Sequence, residues 1–214
     1  MSQRLKVLLI GYPDSKVRSY LSNEEELSFI DGSELINIET IEKYGPEYIV
    51  LHGCHSILDE KIVENFPRRI INLHGAYLPW NRGGHPNLWS FLENTPKGGS
   101  VHFIDGQVDK GELISRKEIK VFPDDTLAST YKRVKSMMED VFISLWPSIK
   151  DGTVQTIRVD NTEGSYHAKK ELKAVQNLLT DGWNTKISSI ISAPENLGRE
   201  FRDSLETSGL NDKK

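Results

Sequence analysis

The sequence predicts an α/β fold: an open, mostly parallel twisted sheet flanked by helices, with a short C-terminal extension. Three observations predict it. Short apolar runs recur over residues 5–11, 47–53 and 68–74, continuous as in strands buried on both faces. Between the last two lies a segment, 58–66, in which Ile62, Val63 and Phe66 fall on one side of a helix. Strand, helix, strand at that spacing is a βαβ crossover, which makes the flanking strands parallel.

Taken in order, LKVLLIG over 5–11 reads as a buried strand ending in a glycine turn. SKVRSYLSNEEE over 15–26 suits a helix with Ser15 at its N-cap, because a serine hydroxyl accepts from an early backbone N–H. EYIVLHG over 47–53 is the second strand, and the helix over 58–66 opens beside Asp59. RRIINLH over 68–74 is the third strand. HPNLWSFLEN over 85–94 reads as a helix with Pro86 in its first turn and Leu88, Trp89 and Leu92 on one face. GGSVHFID (98–105) and ELISRKEIKVF (112–122) are strands joined by GQVDKG, a bent hairpin. Residues 126–152 form a long amphipathic helix stopped near Pro147 and Gly152. TVQTIRV (153–159) is a short strand, KKELKAVQNLL (169–179) a helix, and the polar stretch after Pro194 a fraying end. Residues 1–152 thus make the main domain and 153–214 the extension.

With 214 residues, 37% of them hydrophobic and 27% charged, the chain is long enough to bury a sizeable core. No run is apolar enough to cross a bilayer, and the N-terminus lacks a cleavage pattern. A cytoplasmic location with no membrane partner is expected. The one cysteine, Cys54, excludes an internal disulfide and suits a reducing compartment. A net charge of -4 argues against nucleic acid as the main partner, since phosphate binding needs a basic face. His52 and His55 flank Cys54, but no second cluster has ligand spacing, so no metal is expected. GYPDSK lacks both phosphate-binding glycine patterns and reads as a plain βα turn. Met137–Met138 suits core or subunit contact and, with the apolar tail helix, is compatible with a homodimer.

The chemistry lies in INLHGAYLPWNRGG, from Ile71. Residues two apart on a strand project from the same face, so Asn72 and His74 point together beyond the strand's carboxyl end, where open α/β sheets bind ligands. An imidazole takes a proton near neutral pH and an amide N–H donates to an oxyanion. Alone, the pair reads more readily as a turn cap and a core histidine.

Joined to GGSVHFIDGQVDKGELI, the segment resembles the formyltransferases that use 10-formyltetrahydrofolate. Asn72, His74, Leu78, Pro79, Arg82 and Gly83 fill the first half of the family's pattern, and Val108, Asp109 and Gly111 the second. The likeness runs from Leu5 to about Gly152 and implies a Rossmann-like formyltransferase fold. It implies a catalytic trio: His74 as general base, Asp109 orienting the imidazole, Asn72 bonding the formyl oxygen as it becomes an oxyanion. It implies folate contacts, largely through main chain, at Ile57, Leu58, Asp105, Gly106, Gln107 and Val108. Candidates for acceptor binding are Tyr77, Leu78, Pro79, Trp80, Arg82 and Gly83. Arg82 suits a phosphate or carboxylate, Gly83–Gly84 lets backbone approach a ligand closely, and Trp80 and Trp89 suit either stacking on a sugar or base or packing of loop on helix.

The acceptor follows by resemblance and elimination. Members acting on initiator methionyl-tRNA carry a large C-terminal domain. Those acting on glycinamide ribonucleotide carry a glycine- and serine-rich loop where this chain has GYPDSKV, and deformylases carry an added N-terminal domain. YHAKKELKAVQNLL (166–179) resembles the tail of members acting on nucleotide-linked sugars. The expectation is an N-formyltransferase for a nucleotide-linked deoxyamino sugar feeding surface polysaccharide such as lipopolysaccharide O-antigen. The alternatives are a phosphoribosylglycinamide formyltransferase and a non-catalytic carbohydrate- or nucleotide-binding module, with Trp80 and Trp89 as its platform.

Overall fold

A computed structural model describes residues 3–159 and 163–192. The strand-like runs form β1 (Lys6–Gly11), β3 (Tyr48–His52) and β4 (Ile70–His74), with β6 (Gly98–Phe103) and β7 (Leu113–Glu118) beyond them. With β2 (Glu26–Asp31) they make one six-stranded sheet of order β2-β1-β3-β4-β6-β7. The first four strands are parallel, while β6 is antiparallel to β4 and β7 to β6. The chain leaves β1 to build β2 on one side and returns to build β3 on the other. That reversal opens a crevice at the strands' carboxyl ends.

Alternation sorts the core into two layers. Val7, Leu9, Val50, Ile71, Leu73, Val101 and Phe103 face α1 (Lys16–Glu24) and α5 (Leu127–Lys150), meeting Val17, Leu21, Phe142 and Trp146. Leu8, Ile10, Ile49, Leu51 and Ile70 face the other way, toward Ile41 of α2 (Ile38–Tyr44) and Ile62 of α3 (Glu60–Asn65). Ser15 caps α1 through the Arg18 N–H, and Asp59 caps α3 through the Lys61 N–H. Met138 is buried and Met137 packs against the same layer.

Several expectations change. The first helix ends at Glu24, and residues 26–31 form β2, an edge strand whose mixed exposure hides its period. The long helix ends at Lys150, near Gly152 as expected, and passes through Pro147, because a proline in its last turn removes only one hydrogen bond while Trp146 and Ile149 on either side are buried. Residues 153–159 contribute an isolated bridge from Ile157 to Leu113 rather than a strand. Residues 169–179 break into two 3-10 turns around a four-residue α6 (Leu172–Val175). The extension's strands lie at β8 (Tyr166–His167) and β9 (Thr180–Trp183), followed by α7 (Ile187–Ile191). Val175, Ile187 and Ile190 pack on Leu88, Trp89 and Phe91 of α4 (Pro86–Leu92). The expected fraying end after Pro194 lies outside the described residues. Among the described residues no helix is long and apolar enough to cross a membrane.

Candidate active site

The site sits where β4 ends. Asn72 faces His102 and His74 faces Ser100 across the antiparallel pair, and directly opposed residues share a face of the sheet. Four polar side chains therefore emerge side by side, while Leu73, Val101 and Phe103 turn into the α5 layer. Ser100 steers the loop that follows: its hydroxyl donates to the Ala76 carbonyl at 2.7 Å and accepts the Leu78 N–H at 3.0 Å.

Asp109 arrives from the β6–β7 connection with a backbone φ of 51°, a left-handed conformation that aims its carboxylate at this row. Oδ1 accepts from the Asn72 amide at 3.2 Å and Oδ2 from the Gly83 N–H at 2.9 Å. His74 Nε2 lies 3.6 Å from Oδ2, and His102 Nε2 lies 3.5 Å from Oδ1. The His74 distance is longer than a hydrogen bond, so the carboxylate acts on that ring through its charge. The structure brings Asn72, His74 and Asp109 together.

Burial sets the protonation states. Desolvation pulls His74 below the ordinary imidazole value, against the Asp109 charge and the Asn81 carbonyl, which raise it. The ring is therefore neutral near pH 7. Its Nε2 faces the Asn81 carbonyl at 3.4 Å as well as Asp109; a proton on Nε2 leaves Nδ1 as the basic lone pair. For Asp109, burial alone would raise the carboxyl. Attraction to the protonated form of His74, the His102 side chain and the Gly83 N–H outweigh it, holding the group well below the usual carboxylate range.

His102, fully buried, was not anticipated. Its Nδ1–H donates to the Phe103 carbonyl at 2.9 Å, so in the neutral ring Nε2 accepts from the Asn72 amide at 3.2 Å. The signal was present in GGSVHFID: small or polar Ser100 and His102 alternate with Val101 and Phe103, an odd face for a wholly buried strand. The Asn72 N–H groups are thus both engaged, one by Asp109 and one by His102.

The loop residues divide. Leu78 and Pro79 are buried. Tyr77 lies under the Arg116 guanidinium, 4.5 Å from ring centroid to Cζ, and Arg116 donates to the Leu78 carbonyl. Trp80 is half-buried. Trp89 is fully buried, stacked 3.9 Å from His167 with planes 5° apart. The packing reading holds there, and Trp89 presents no face to a ligand. Arg82 and Gly83 form β5 (Arg82–Gly83), a two-residue parallel ladder with β8.

Beneath that ladder lies a buried polar network the sequence did not announce. The Ser165 hydroxyl donates to Glu93 at 2.7 Å and accepts the Asn81 N–H at 3.0 Å, and the Asn81 amide donates to Glu93 at 3.0 Å. His167 sits between Glu93 and Glu171, 3.2 and 3.0 Å from their carboxylates. Residues from the extension thereby fix the loop that carries Gly83 to Asp109.

Around the expected folate segments, Ile57 is 80% and Val108 41% exposed, while Leu58 packs against the α3 layer. Asp105 accepts the Gln107 N–H at 2.9 Å. Asp105 and Gly106 edge an open groove of about 450 Å³ against α3, reaching Val63, Pro67 and Arg68 but not the trio.

The family described as formyl transferase matches residues 24–145. The dTDP-4-amino-4,6-dideoxyglucose formyltransferase of Mycobacterium tuberculosis is 26% identical over 140 residues, 65% of this chain; the chain spans 58% of the length of that curated relative. The crystal structure of the formyltransferase PseJ from Anoxybacillus kamchatkensis, in complex with UDP-4,6-dideoxy-4-formamido-L-AltNAc and tetrahydrofolate, is 38% identical. It aligns with a TM-score of 0.79 over 86% of this chain and 97% of that one. A 4-N formyltransferase from Francisella tularensis, 18% identical, shares the fold with a TM-score of 0.68 over 90% of this chain and 88% of that one. The chain belongs to the formyl transferase family.

Proposed function

We propose that this chain transfers the formyl group of 10-formyltetrahydrofolate to the amino group of a nucleotide-linked deoxyamino sugar. The convergence of Asn72, His74 and Asp109 carries the chemistry. The relatives support the acceptor class: one is named for a dTDP-linked amino sugar, another holds a UDP-linked formamido sugar with tetrahydrofolate. Such a product feeds surface polysaccharide, lipopolysaccharide O-antigen included, from a cytoplasmic nucleotide-sugar pool. Residues 1–152 supply the reacting groups, and the extension braces the acceptor loop.

His74 takes the proton from the acceptor amine through Nδ1 as the amine nitrogen bonds the formyl carbon. Asp109 stabilises the imidazolium so formed, 3.6 Å away. Asn72 meets the new oxyanion with one N–H, released from His102 or Asp109. Collapse breaks the bond from carbon to the folate nitrogen, which takes the proton back from His74. The folate is a substrate, consumed each turnover. Its ring system lies against Ile57, Leu58 and residues 105–108, where Ile57 and Val108 offer apolar surface and, among the described residues, only chain neighbours come within 4 Å of the space beside Gly106.

The test is a panel of nucleotide-linked amino sugars incubated with the formylated folate, read by tetrahydrofolate release and by gain of one formyl group in the product's mass. His74→Ala is expected to lower turnover by about 10²–10⁴-fold and Asn72→Ala by about 10²–10³-fold. A folded His74→Ala protein with full turnover overturns the mechanism.

A further inference from the structure

The β5–β8 ladder sets a second group of side chains beside the reacting centre. Tyr166 lies opposite Arg82, and its half-exposed ring covers Gly83 so closely that a Cβ there would stand 2.8 Å from Cε2. Gly83 in turn donates to Asp109 at 2.9 Å, so this ring stands one residue from the reacting carboxylate. Two residues along the loop, His85 is held at a φ of 53° and stacks on Trp183 with centroids 5.6 Å apart. Trp183 is 46% exposed. Burial and the neighbouring Lys169 charge lower the His85 pKa, leaving a neutral ring that adds to the flat surface.

Two cations frame these rings. The Lys169 backbone abuts Gly84, where a Cβ would meet its Cα at 2.8 Å. Its ammonium reaches the His55 carbonyl at 2.8 Å, next to the segment assigned to folate, with capacity for two further acceptors. Arg82 uses only Nε, toward the Ser165 carbonyl at 3.4 Å, and forms no ion pair among the described residues.

We infer that Tyr166, Trp183, Lys169 and Arg82 form the subsite for the nucleoside diphosphate half of the acceptor. The inference rests on the proposed function. Exposed aromatic faces suit a base plane, and an ammonium and a guanidinium suit a diphosphate. Their attachment to the loop that holds Asp109 puts a sugar joined to that diphosphate at the reacting centre. Trp80 and Trp89 fit the task less well: Trp89 is buried under His167. The extension thereby recognises the acceptor as well as bracing its loop.

The experiment separates this from the parent reading. UDP and dTDP, without sugar, are titrated into the full chain and read by quenching of tryptophan fluorescence and by calorimetry. Steady-state kinetics are run with the acceptor found in the panel. Tyr166→Ala and Trp183→Ala are each expected to weaken nucleotide binding and raise KM for the acceptor by roughly tenfold, leaving KM for the folate unchanged. Tyr166→Phe and Trp183→Phe, which keep an aromatic plane and protect against simple misfolding, are expected to restore most of the loss. Lys169→Ala is expected to weaken UDP more than uridine. An enzyme that formylates the sugar while every variant keeps wild-type KM and UDP affinity overturns the subsite and leaves the parent reading standing. Nucleotide binding lost in the variants of a protein that formylates none of the panel removes the parent reading and keeps the subsite. Variants that change sedimentation from dimer to monomer, with nucleotide affinity intact, make the face a contact between copies and overturn it.

Discussion

Asp109 accepts from an amide and a backbone N–H with one carboxylate, and two imidazoles stand 3.5 and 3.6 Å from it. Its charge raises the pKa of His74 against the larger effect of burial. Asp109→Asn removes the raising influence, so His74 becomes harder to protonate. The acid limb of kcat/KM should move to lower pH as the rate falls by about 10³-fold or more. The measurement is a pH–rate profile of wild type and variant; a limb that stays put or moves upward refutes the coupling. Asn72, His74 and Asp109 were legible because a spaced pattern across two segments named them together. His102 was not, because an apolar strand reading absorbs a lone histidine, and only the pairing of β6 with β4 shows that it faces Asn72.

At the scale of elements, β5 and β8 are two residues each, yet they position the loop that brings Gly83 to Asp109. Gly83 adopts a φ of 86°, and a Cβ there would fall 2.4 Å from the His167 carbonyl. Gly83→Ala therefore meets both a conformational cost of roughly 1–2 kcal/mol and a backbone clash. The expected outcome is a lowered melting temperature together with a loss of kcat/KM, since the ladder and the Asp109 contact share this residue. Retention of both would show that the loop relaxes freely. The long elements were readable from their periods: β1, β3 and β4 as apolar runs, α5 as a continuous stripe. The small ones were not. β2 alternates poorly at the sheet's edge, α2 has seven residues, and β8 depends on Ser165 and His167 finding Asn81 and Glu93 far away in the chain.

Across the whole molecule, the start of β1, the end of α1 and the end of α5 are tied together by Glu25, a buried carboxylate at the turn between α1 and β2. It accepts from Lys150 at 2.7 Å, from the Trp146 indole at 2.9 Å and from the Leu5 N–H at 2.7 Å. Burial raises its pKa, but the Lys150 hydrogen bond, then the Leu5 N–H and the indole, bring it below the ordinary value. Glu25→Gln strands the Lys150 ammonium and should cost about 3 kcal/mol, measured by urea unfolding near neutral pH. Because the folded carboxyl is the stronger acid, this stabilisation is complete above the ordinary carboxylate value of about 4.3. It fades as pH falls through the folded value, so the gap between wild type and variant should narrow in acid. The sheet's parallel half was predictable at this scale from the βαβ rhythm; the cross-chain tie at Glu25 was not, since nothing local marks which distant lysine it meets. The loop that delivers Gly83 to Asp109 leans on Ser165 and His167, some eighty positions downstream. Under the proposed function, a nascent chain that already holds Asn72, His74 and Asp109 still lacks the brace that sets their geometry, so turnover is expected only once residues 165–167 have emerged and docked.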